Sequence, residues 1–328
     1  MAHYLGLDLG GTNIKAGIID ASFHLIAHTS VPTEAGKGPD AVIENMAAAA
    51  RSVASRANID MGDIAGIGIG APGPLDLVNG IVIAAPNLPG WKNVPLRDRI
   101  QKLTGRPAIL ENDANAAAFG EFCAGAAAGD EIRDMVMLTL GTGVGSGIVV
   151  NGKLVHGAFN LAGEAGHMIV NPEGERDGCG THGCLEIYGS ASHTARRATE
   201  AVAGGAKSTL SALLKAGPGK ITAKDVFQAA EQGDALANQI VDETAKYLGI
   251  ACVNFCRILD PRMIVFAGGM TLAGDFLFDR IRAAFKRHSW TIVEDRVEIV
   301  PATLGNDAGV IGAAAVAWDA YKSGELMG

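Results

Sequence analysis

The sequence predicts an α/β protein built from two related lobes. Three observations carry that expectation. An apolar strand, a Gly/Thr turn and a returning apolar strand occur twice, at residues 4–19 and again at 135–150. Short apolar runs bounded by glycine stand beside stretches of helical periodicity in the rest of the chain. The 328 residues, 48% of them hydrophobic, suffice for a large core without disulfides or a structural metal.

The elements follow in order. Residues 4–9 are short and apolar, Gly10-Gly11 breaks them, and a second strand runs over 15–19 to Asp20. Val42, Met46, Ala49 and Val53 share one face, which predicts a helix over 41–54. Residues 64–70 alternate Ile and Gly, the mark of a buried strand with close backbone neighbours. Ala71-Pro72-Gly73-Pro74 then forbids either regular element. A loop holding Asn87 and Trp91 is expected over 86–95, a short strand over 108–111 and an Ala-rich helix over 114–122. The second hairpin has strands at 135–140 and 147–150 around Gly141-Thr142-Gly143. Residues 160–190 are polar, Gly-rich and without periodicity. Helices dominate 191–259, where Leu248, Cys252, Phe255 and Leu259 share a face and Pro261 ends the last one. Strands at 263–267 and 297–300 and a closing helix over 309–321 complete the chain.

Composition excludes several classes of function. Lys and Arg number 27 against 35 Asp and Glu, a net charge of −8, which argues against a nucleic-acid or anionic-membrane surface. The 44 glycines do not recur every third residue, so the chain is not collagen-like. The longest helix-like apolar stretch, 308–318, is closed by Asp307 and Asp319. It falls well short of the roughly 20 residues a membrane span needs. No signal peptide is evident at the N-terminus. Five cysteines are an odd number in a long chain, so a disulfide framework is not expected and a cytoplasmic protein is.

The two Gly/Thr turns are the first functional signal. Backbone N–H groups hold phosphates where no Cβ blocks the approach, and a threonine hydroxyl adds a donor. Gly10-Gly11-Thr12 and Gly141-Thr142-Gly143 both offer this, at matching places in two lobes. Other nucleotide motifs fail. Gly219-Lys220 suggests a Walker A loop, but Leu214 stands where the first Gly belongs and Ile221 where Ser or Thr belongs. The dinucleotide-like run at 66–71 is followed by Pro72 and Pro74, where a helix should start.

At Glu111-Asn112-Asp113 a strand meets a helix. Asp113 reads either as the helix N-cap or as a catalytic base at the carboxyl end of a strand. A hydroxyl attacking a phosphoryl group needs such a carboxylate to take its proton, and the helix N-terminus keeps it ionised. Glu164, His167 and Glu186 form a third cluster, suited to the many uncharged hydroxyls of a sugar. The loop from Cys179 to Cys184 reads either as a metal loop or as two free thiols among glycines. Cys252 and Cys256, one helical turn apart, read as core residues, as does Cys123.

Together these pieces resemble the ROK family of bacterial sugar kinases and repressors, and most closely its ATP-dependent glucokinases. Asp8-Leu9-Gly10-Gly11-Thr12-Asn13-Ile14-Lys15 resembles the first phosphate motif of the family, and residues 138–147 the second. Gly163-Glu164-Ala165-Gly166-His167 resembles the start of its sugar and zinc segment, and Gly183-Cys184-Leu185-Glu186 the end. Ala267-Gly268-Gly269 resembles its adenosine motif.

The resemblance implies an actin-like, ribonuclease-H-like fold in two lobes with the active site in the cleft between them. The small lobe would span residues 1–115 plus about 306–328, and the large lobe 116–305 with the zinc-binding loop. Asp113 matches the catalytic base, and Asn87, Asn112, Asp113, Glu164, His167 and Glu186 match sugar-binding positions. Asp8 would lie near Mg2+. Gly10, Gly11, Thr12, Lys15, Gly141, Thr142 and Gly143 would lie near the ATP phosphates, and Gly268 and Gly269 near the adenosine. Family members commonly hold a structural zinc through one histidine and three cysteines. Here Asp177 stands where one cysteine is usual, leaving His167, Asp177, Cys179 and Cys184 as the expected set.

The activity implied is transfer of the γ-phosphoryl of MgATP to the 6-hydroxyl of glucose by a cytoplasmic homodimer. Pro86-Asn87-Leu88-Pro89-Gly90-Trp91, which is glucokinase-like, sets the sugar. N-acetylglucosamine, N-acetylmannosamine, mannose or fructose as substrate, and polyphosphate as donor, stay open. A non-catalytic, sugar-responsive repressor is the reading from another class. Family repressors carry a DNA-binding helix-turn-helix before the first phosphate motif, whereas here that motif begins at Asp8.

Overall fold

The computed structural model describes residues 2–85, 87–129, 131–215, 221–290 and 296–327. Pro86 and the Gly219-Lys220 pair lie outside the described residues. The chain divides into two units. The first comprises Met1–Ile132, Gly147–Gly163 and Thr303–Gly328, the second Arg133–Ser146 and Glu164–Ala302.

The first unit opens with β1 (His3–Leu9), β2 (Asn13–Ile19) and β3 (Leu25–Pro32), followed by α1 (Pro39–Arg56) and β4 (Ile64–Ala71). Then come β5 (Leu75–Asp76), β6 (Ile81–Ala84), β7 (Lys92–Val94), α2 (Leu96–Thr104), β8 (Ala108–Asn112) and α3 (Asp113–Ala124). The strands form a sheet of order β3-β2-β1-β4-β8, with the hairpin strands antiparallel and β1, β4 and β8 parallel. The alternation of Ile and Gly in β4 separates its two faces. Ile64, Ile67 and Ile69 are buried in one core with Val42, Ile43, Met46 and Val53 of α1. Each such side chain contributes about 1.5–3 kcal/mol by leaving water.

The glycine face of β4 meets the closing helix of the chain, α10 (Ala308–Lys322). A Cβ at Gly68 would lie 1.7 Å from the Ala313 carbonyl oxygen, and one at Gly6 of β1 would lie 2.0 Å from that of Val310. Backbone-to-backbone approach this close admits only glycine. Helix α3 packs on α10 in the same way. A Cβ at Gly312 would lie 1.6 Å from the Ala116 carbonyl oxygen, and one at Gly120 would lie 2.5 Å from that of Ala308. All of α3 lies within the first unit.

The second unit starts with β9 (Met135–Leu140) and the beginning of β10 (Val144–Val150), within which the division between units falls. After β11 (Lys153–Leu154) come α4 (Leu185–Gly189), α5 (Ala191–Ala203), α6 (Ser211–Lys215), α7 (Ala223–Glu231) and α8 (Ala235–Ile258). Next are β12 (Met263–Ala267), α9 (Asp275–His288) and β13 (Glu298–Pro301). The sheet order β11-β10-β9-β12-β13 repeats that of the first sheet, with β9, β12 and β13 parallel. The duplication read from the two Gly/Thr turns is thus a duplication of topology. Within this unit α8 and α9 pack closely at Gly249, and Phe266 of β12 meets Phe278 of α9 edge-on at 6.1 Å.

Several elements differ from the sequence expectation. Strand β3 lies outside the sequence expectation: Leu25, Ala27, Thr29 and Val31 face inward in strict alternation, but only Thr29 is fully buried and the exposed Ile26 blurs the apolar pattern. Helix α1 starts at Pro39, which suits the first helical position because it lacks an N–H. Part of the expected loop over 86–95 is β7, which joins β5 and β6 in a small antiparallel sheet. Among the described residues no helix is long and apolar enough to cross a membrane.

Candidate active site

In the first unit the candidate residues gather at the carboxyl ends of parallel strands, where open α/β sheets receive ligands. Asp8 pairs in register with Gly70, Gly70 pairs with Glu111, and Ala71 pairs with Asn112. Adjacent strands lie about 4.8 Å apart, which places the backbones at Asp8 and Glu111 about 10 Å apart. The turn Gly10-Gly11-Thr12 follows β1 directly. Thr33 holds it from below, its hydroxyl donating to the Gly10 carbonyl at 2.6 Å and its N–H to that of Thr12 at 2.9 Å. Gly11 and Thr12 are exposed, and a Cβ at Gly11 would lie 3.8 Å from the Asn87 Cβ. Asn87 therefore stands beside the phosphate turn.

The Asp8 carboxylate meets the start of α10, where a Cβ on Gly309 would come within 2.7 Å of its Oδ2. Burial pushes the Asp8 carboxyl above its ordinary pKa, and the Lys15 ammonium opposes that. Lys15 itself donates from Nζ to the Asn306 carbonyl at 2.5 Å.

The β8–α3 junction corrects one of the two readings of Asp113. The N-cap is Asn112, whose Oδ1 accepts from the Ala114 and Asn115 N–H groups at 2.9 and 3.1 Å. Asp113 is the first helical residue, with Oδ1 accepting from the Ala114 N–H at 2.8 Å. Capping thus occupies the Asn112 oxygen and leaves its amide nitrogen to meet a ligand.

Two charged residues here escaped the sequence reading. Glu111 is an acidic residue only 3% exposed, and its Oε2 lies 2.6 Å from His156 Nε2. Glu121 of α3 is fully buried and accepts from the N–H groups of Ala126, Thr303 and Leu304. It clamps α3 to the segment just before α10.

In the second unit the turn Gly141-Thr142-Gly143 closes on itself, Gly141 donating its N–H to the Gly143 carbonyl at 3.0 Å. Glu186 lies against it: Oε2 accepts from the Val144 N–H at 2.8 Å, and a Cβ at Gly143 would lie 2.2 Å from that oxygen. Gly143 therefore makes room for Glu186. Glu164 is exposed and opens the short turn Ala165–His167, whose Gly166 packs on the Val144 carbonyl. Beside the Gly/Thr turn lies a cavity of about 590 Å³, lined by Gly141, Thr142, Gly269, Met270 and, from α7, Phe227 and Gln228. Gly268 has φ +97°, and a Cβ there would lie 2.4 Å from the Leu140 carbonyl. Only glycine allows β12 to turn into this wall. The contribution of α7 had no sequence signal, since Phe227 reads as an ordinary apolar position.

His167, Asp177, Cys179 and Cys184 come together, with one ligand atom of each within 4.8 Å of all the others. Cys179 Sγ lies 3.6 Å from Cys184 Sγ, and His167 Nδ1 lies 3.0 Å from Asp177 Oδ2. Two sulfurs on one tetrahedral zinc lie about 3.8 Å apart, and a nitrogen and an oxygen about 3.3 Å, so the donor set fits. Burial alone would raise the Asp177 carboxyl, but hydrogen bonds from Cys179, Cys184, the Gly178 N–H and His167 outweigh it and hold it at about 2. Burial pushes the Cys184 thiol up to about 12, with Thr181 opposing and Asp177 and Cys179 adding to it. A metal entering this cluster must displace a thiol proton. Cys252 and Cys256 are buried on α8, and burial raises both thiols, that of Cys256 to about 11.

Residues 4–320 match the profile of the ROK family. A glucokinase of Halalkalibacterium halodurans is 43% identical over 310 residues, covering 94% of this chain and 93% of that one. Among solved structures, a ROK hexokinase from Thermus thermophilus superposes with a TM-score of 0.86 at 34% identity, covering 98% of this chain and 100% of its own. A ROK family glucokinase from Streptomyces griseus, in complex with glucose and AMPPNP, gives a TM-score of 0.77 at 33% identity, over 97% and 100% of the two chains.

Proposed function

Since the chain belongs to the ROK family, we propose that it is a glucokinase, transferring the γ-phosphoryl of MgATP to the 6-hydroxyl of glucose. The observation that carries this reading is the 43% identity to a glucokinase over nearly the whole of both chains. The geometry of each unit supports it. Asp113 stands at the end of β8, one residue beyond the helix cap, on the same sheet edge as the turn Gly10-Gly11-Thr12. In this reading Asp113 accepts the proton of the 6-hydroxyl as its oxygen bonds to the γ-phosphorus and ADP departs. Asn87 and Asn112 in the first unit, and Glu164, His167 and Glu186 in the second, are the proposed sugar ligands. Their amides, carboxylates and imidazole match the donors and acceptors of hydroxyls.

Gly10, Gly11, Thr12 and Lys15, with Gly141, Thr142 and Gly143, are the proposed phosphate contacts, and the cavity beside Gly268 and Gly269 receives the adenosine. Asp8 is the proposed holder of Mg2+, which would supply positive charge to offset that of the phosphates. His167, Asp177, Cys179 and Cys184 are the proposed holders of a structural zinc, which fixes the loop that carries them. The two ring nitrogens of His167 allow both of its roles, with Nδ1 in the metal cluster and Nε2 left for sugar. The reading also makes the protein a cytoplasmic homodimer, and light scattering should give twice the chain mass.

A coupled ADP-release assay against a panel of hexoses and N-acetylhexosamines tests the activity. Glucose should give the highest kcat/KM. A preference for an N-acetyl sugar would overturn the choice of substrate. Silence on every sugar, with ATP and with polyphosphate and with zinc supplied, would overturn the kinase. Protein purified without chelator should carry about one zinc per chain and release protons when the stripped protein is reloaded. A stoichiometry near zero would remove zinc from the account.

A further inference from the structure

We propose that Glu111 and His156 form a positioning pair that fixes the β8–α3 junction carrying Asn112 and Asp113. The inference rests on the glucokinase reading, because it concerns the sugar side of that site.

Every atom of the Glu111 carboxylate is used. Oε1 accepts from the Asn112 backbone N–H at 2.8 Å and from Asn115 Nδ2 at 3.0 Å. Oε2 faces His156 Nε2 at 2.6 Å. The first of these partners is the peptide of the helix cap, and the second is one turn into α3. A carboxylate placed so grips the junction from both sides of Asp113. Its side chain is 4% exposed, whereas that of His156 is 35% exposed. A buried charge without a partner is costly, so the imidazole is what allows the carboxylate to sit there. The histidine is itself braced, because its carbonyl accepts from the Ala162 N–H at 3.1 Å and Val155 before it donates to the Ile148 carbonyl at 2.9 Å. Neither residue belongs to a phosphate turn, the adenosine cavity or the metal cluster.

A cavity of about 360 Å³ within the first unit exposes the pair to water. The titratable groups that line it are Lys153 of β11, Asp319 of α10 and Glu325 beyond it, together with Glu111 and His156. The hydrogen bond to Glu111 raises the His156 pKa; burial opposes this, and the charges of Glu111 and Glu325 add to the rise. The sign follows. The imidazolium is present below the raised pKa and is lost as pH rises through it. The ion pair then becomes a hydrogen bond between a neutral imidazole and the carboxylate, and the junction loosens. Orientation errors of this kind act on turnover and on the sugar, and neither residue lines the nucleotide cavity.

His156→Ala should lower kcat/KM for glucose roughly 10²-fold while the KM for ATP stays within about twofold. His156→Gln keeps a donor without a charge. It should recover much of the loss but erase the alkaline limb of the kcat/KM profile for glucose. In the wild-type protein, the His156 imidazole followed by NMR should titrate above its ordinary value, and Glu111→Gln should bring it down. If the wild type turns over glucose and His156→Ala keeps both the KM for glucose and the wild-type pH profile, the pair does not position the site. Equal losses toward glucose and ATP, together with a lower melting temperature, would show a role in stability alone and also overturn the proposal. A wild type inert toward every sugar would instead defeat the glucokinase reading, while the NMR titration still reports on the pair.

Discussion

Replacing Asp113 by alanine should lower kcat roughly 10²–10⁴-fold, the usual contribution of a positioned general base. Glucose affinity should change little, because the other five proposed sugar ligands, Asn87, Asn112, Glu164, His167 and Glu186, are untouched. Asp113→Asn should lose about as much, since the amide keeps the shape but accepts no proton. The capping bonds predict that the fold survives both changes: Asn112, which neither variant alters, satisfies the N–H groups of Ala114 and Asn115 at the start of α3. Steady-state kinetics and glucose calorimetry on the same samples separate the two effects. A variant with near-normal turnover would remove Asp113 from the chemistry. A variant that loses glucose binding along with turnover would make it a sugar ligand first.

The largest expected effect on stability lies at Gly312. Alanine is a better helix former than glycine by about 1 kcal/mol, so propensity alone predicts a gain. The structure predicts a loss, because the new Cβ would sit 1.6 Å from the Ala116 carbonyl oxygen of α3. Backbone cannot yield as a side-chain tip does, and overpacking of this kind costs about 3 kcal/mol. The net loss should lower the melting midpoint by several degrees, and Gly312→Val should lower it further, by roughly 10 °C. Gly36 has open space around it, so Gly36→Ala should leave the midpoint nearly unchanged and serves as the control. A Gly312→Ala protein that melts with the wild type would contradict the close packing of α3 on α10. Because α3 begins at Asp113, the variant should also lose turnover below its midpoint.

What the sequence made legible has a local signature. The Gly/Thr turns, the Ile-Gly alternation of β4 and the strand-to-helix step at Asp113 are each contained in a few residues. So is the metal loop, in which three of the four clustered residues lie within eight positions of one another. The alternation even foretold its cause, since the glycines of β4 face a helix backbone. Residues whose meaning lies in a distant partner stayed silent. Glu111 reads as one carboxylate at the end of a strand, and its partner His156 is 45 positions away. Glu121 carries no signal of its own in the sequence, and two of the N–H groups it holds, those of Thr303 and Leu304, are 182 and 183 positions away. Strand β3 and the small β5-β6-β7 sheet are silent for a different reason: β3 alternates in burial but carries Ile26 on its exposed face and Thr29 on its buried one, and β5, β6 and β7 are too short for a pattern to show.

The placement of α10 has a consequence for biosynthesis. Strands β1 and β4 leave the ribosome early, but the helix that covers their glycine face is translated only after the second unit. A nascent first unit therefore emerges with one side of its sheet bare, and α3 waits beside it with no helix to dock on. The second unit is nearly continuous in the chain and can complete itself in that interval. The later-made unit can therefore close before the earlier one, whose sheet keeps one apolar face open to non-native contacts until α10 is made.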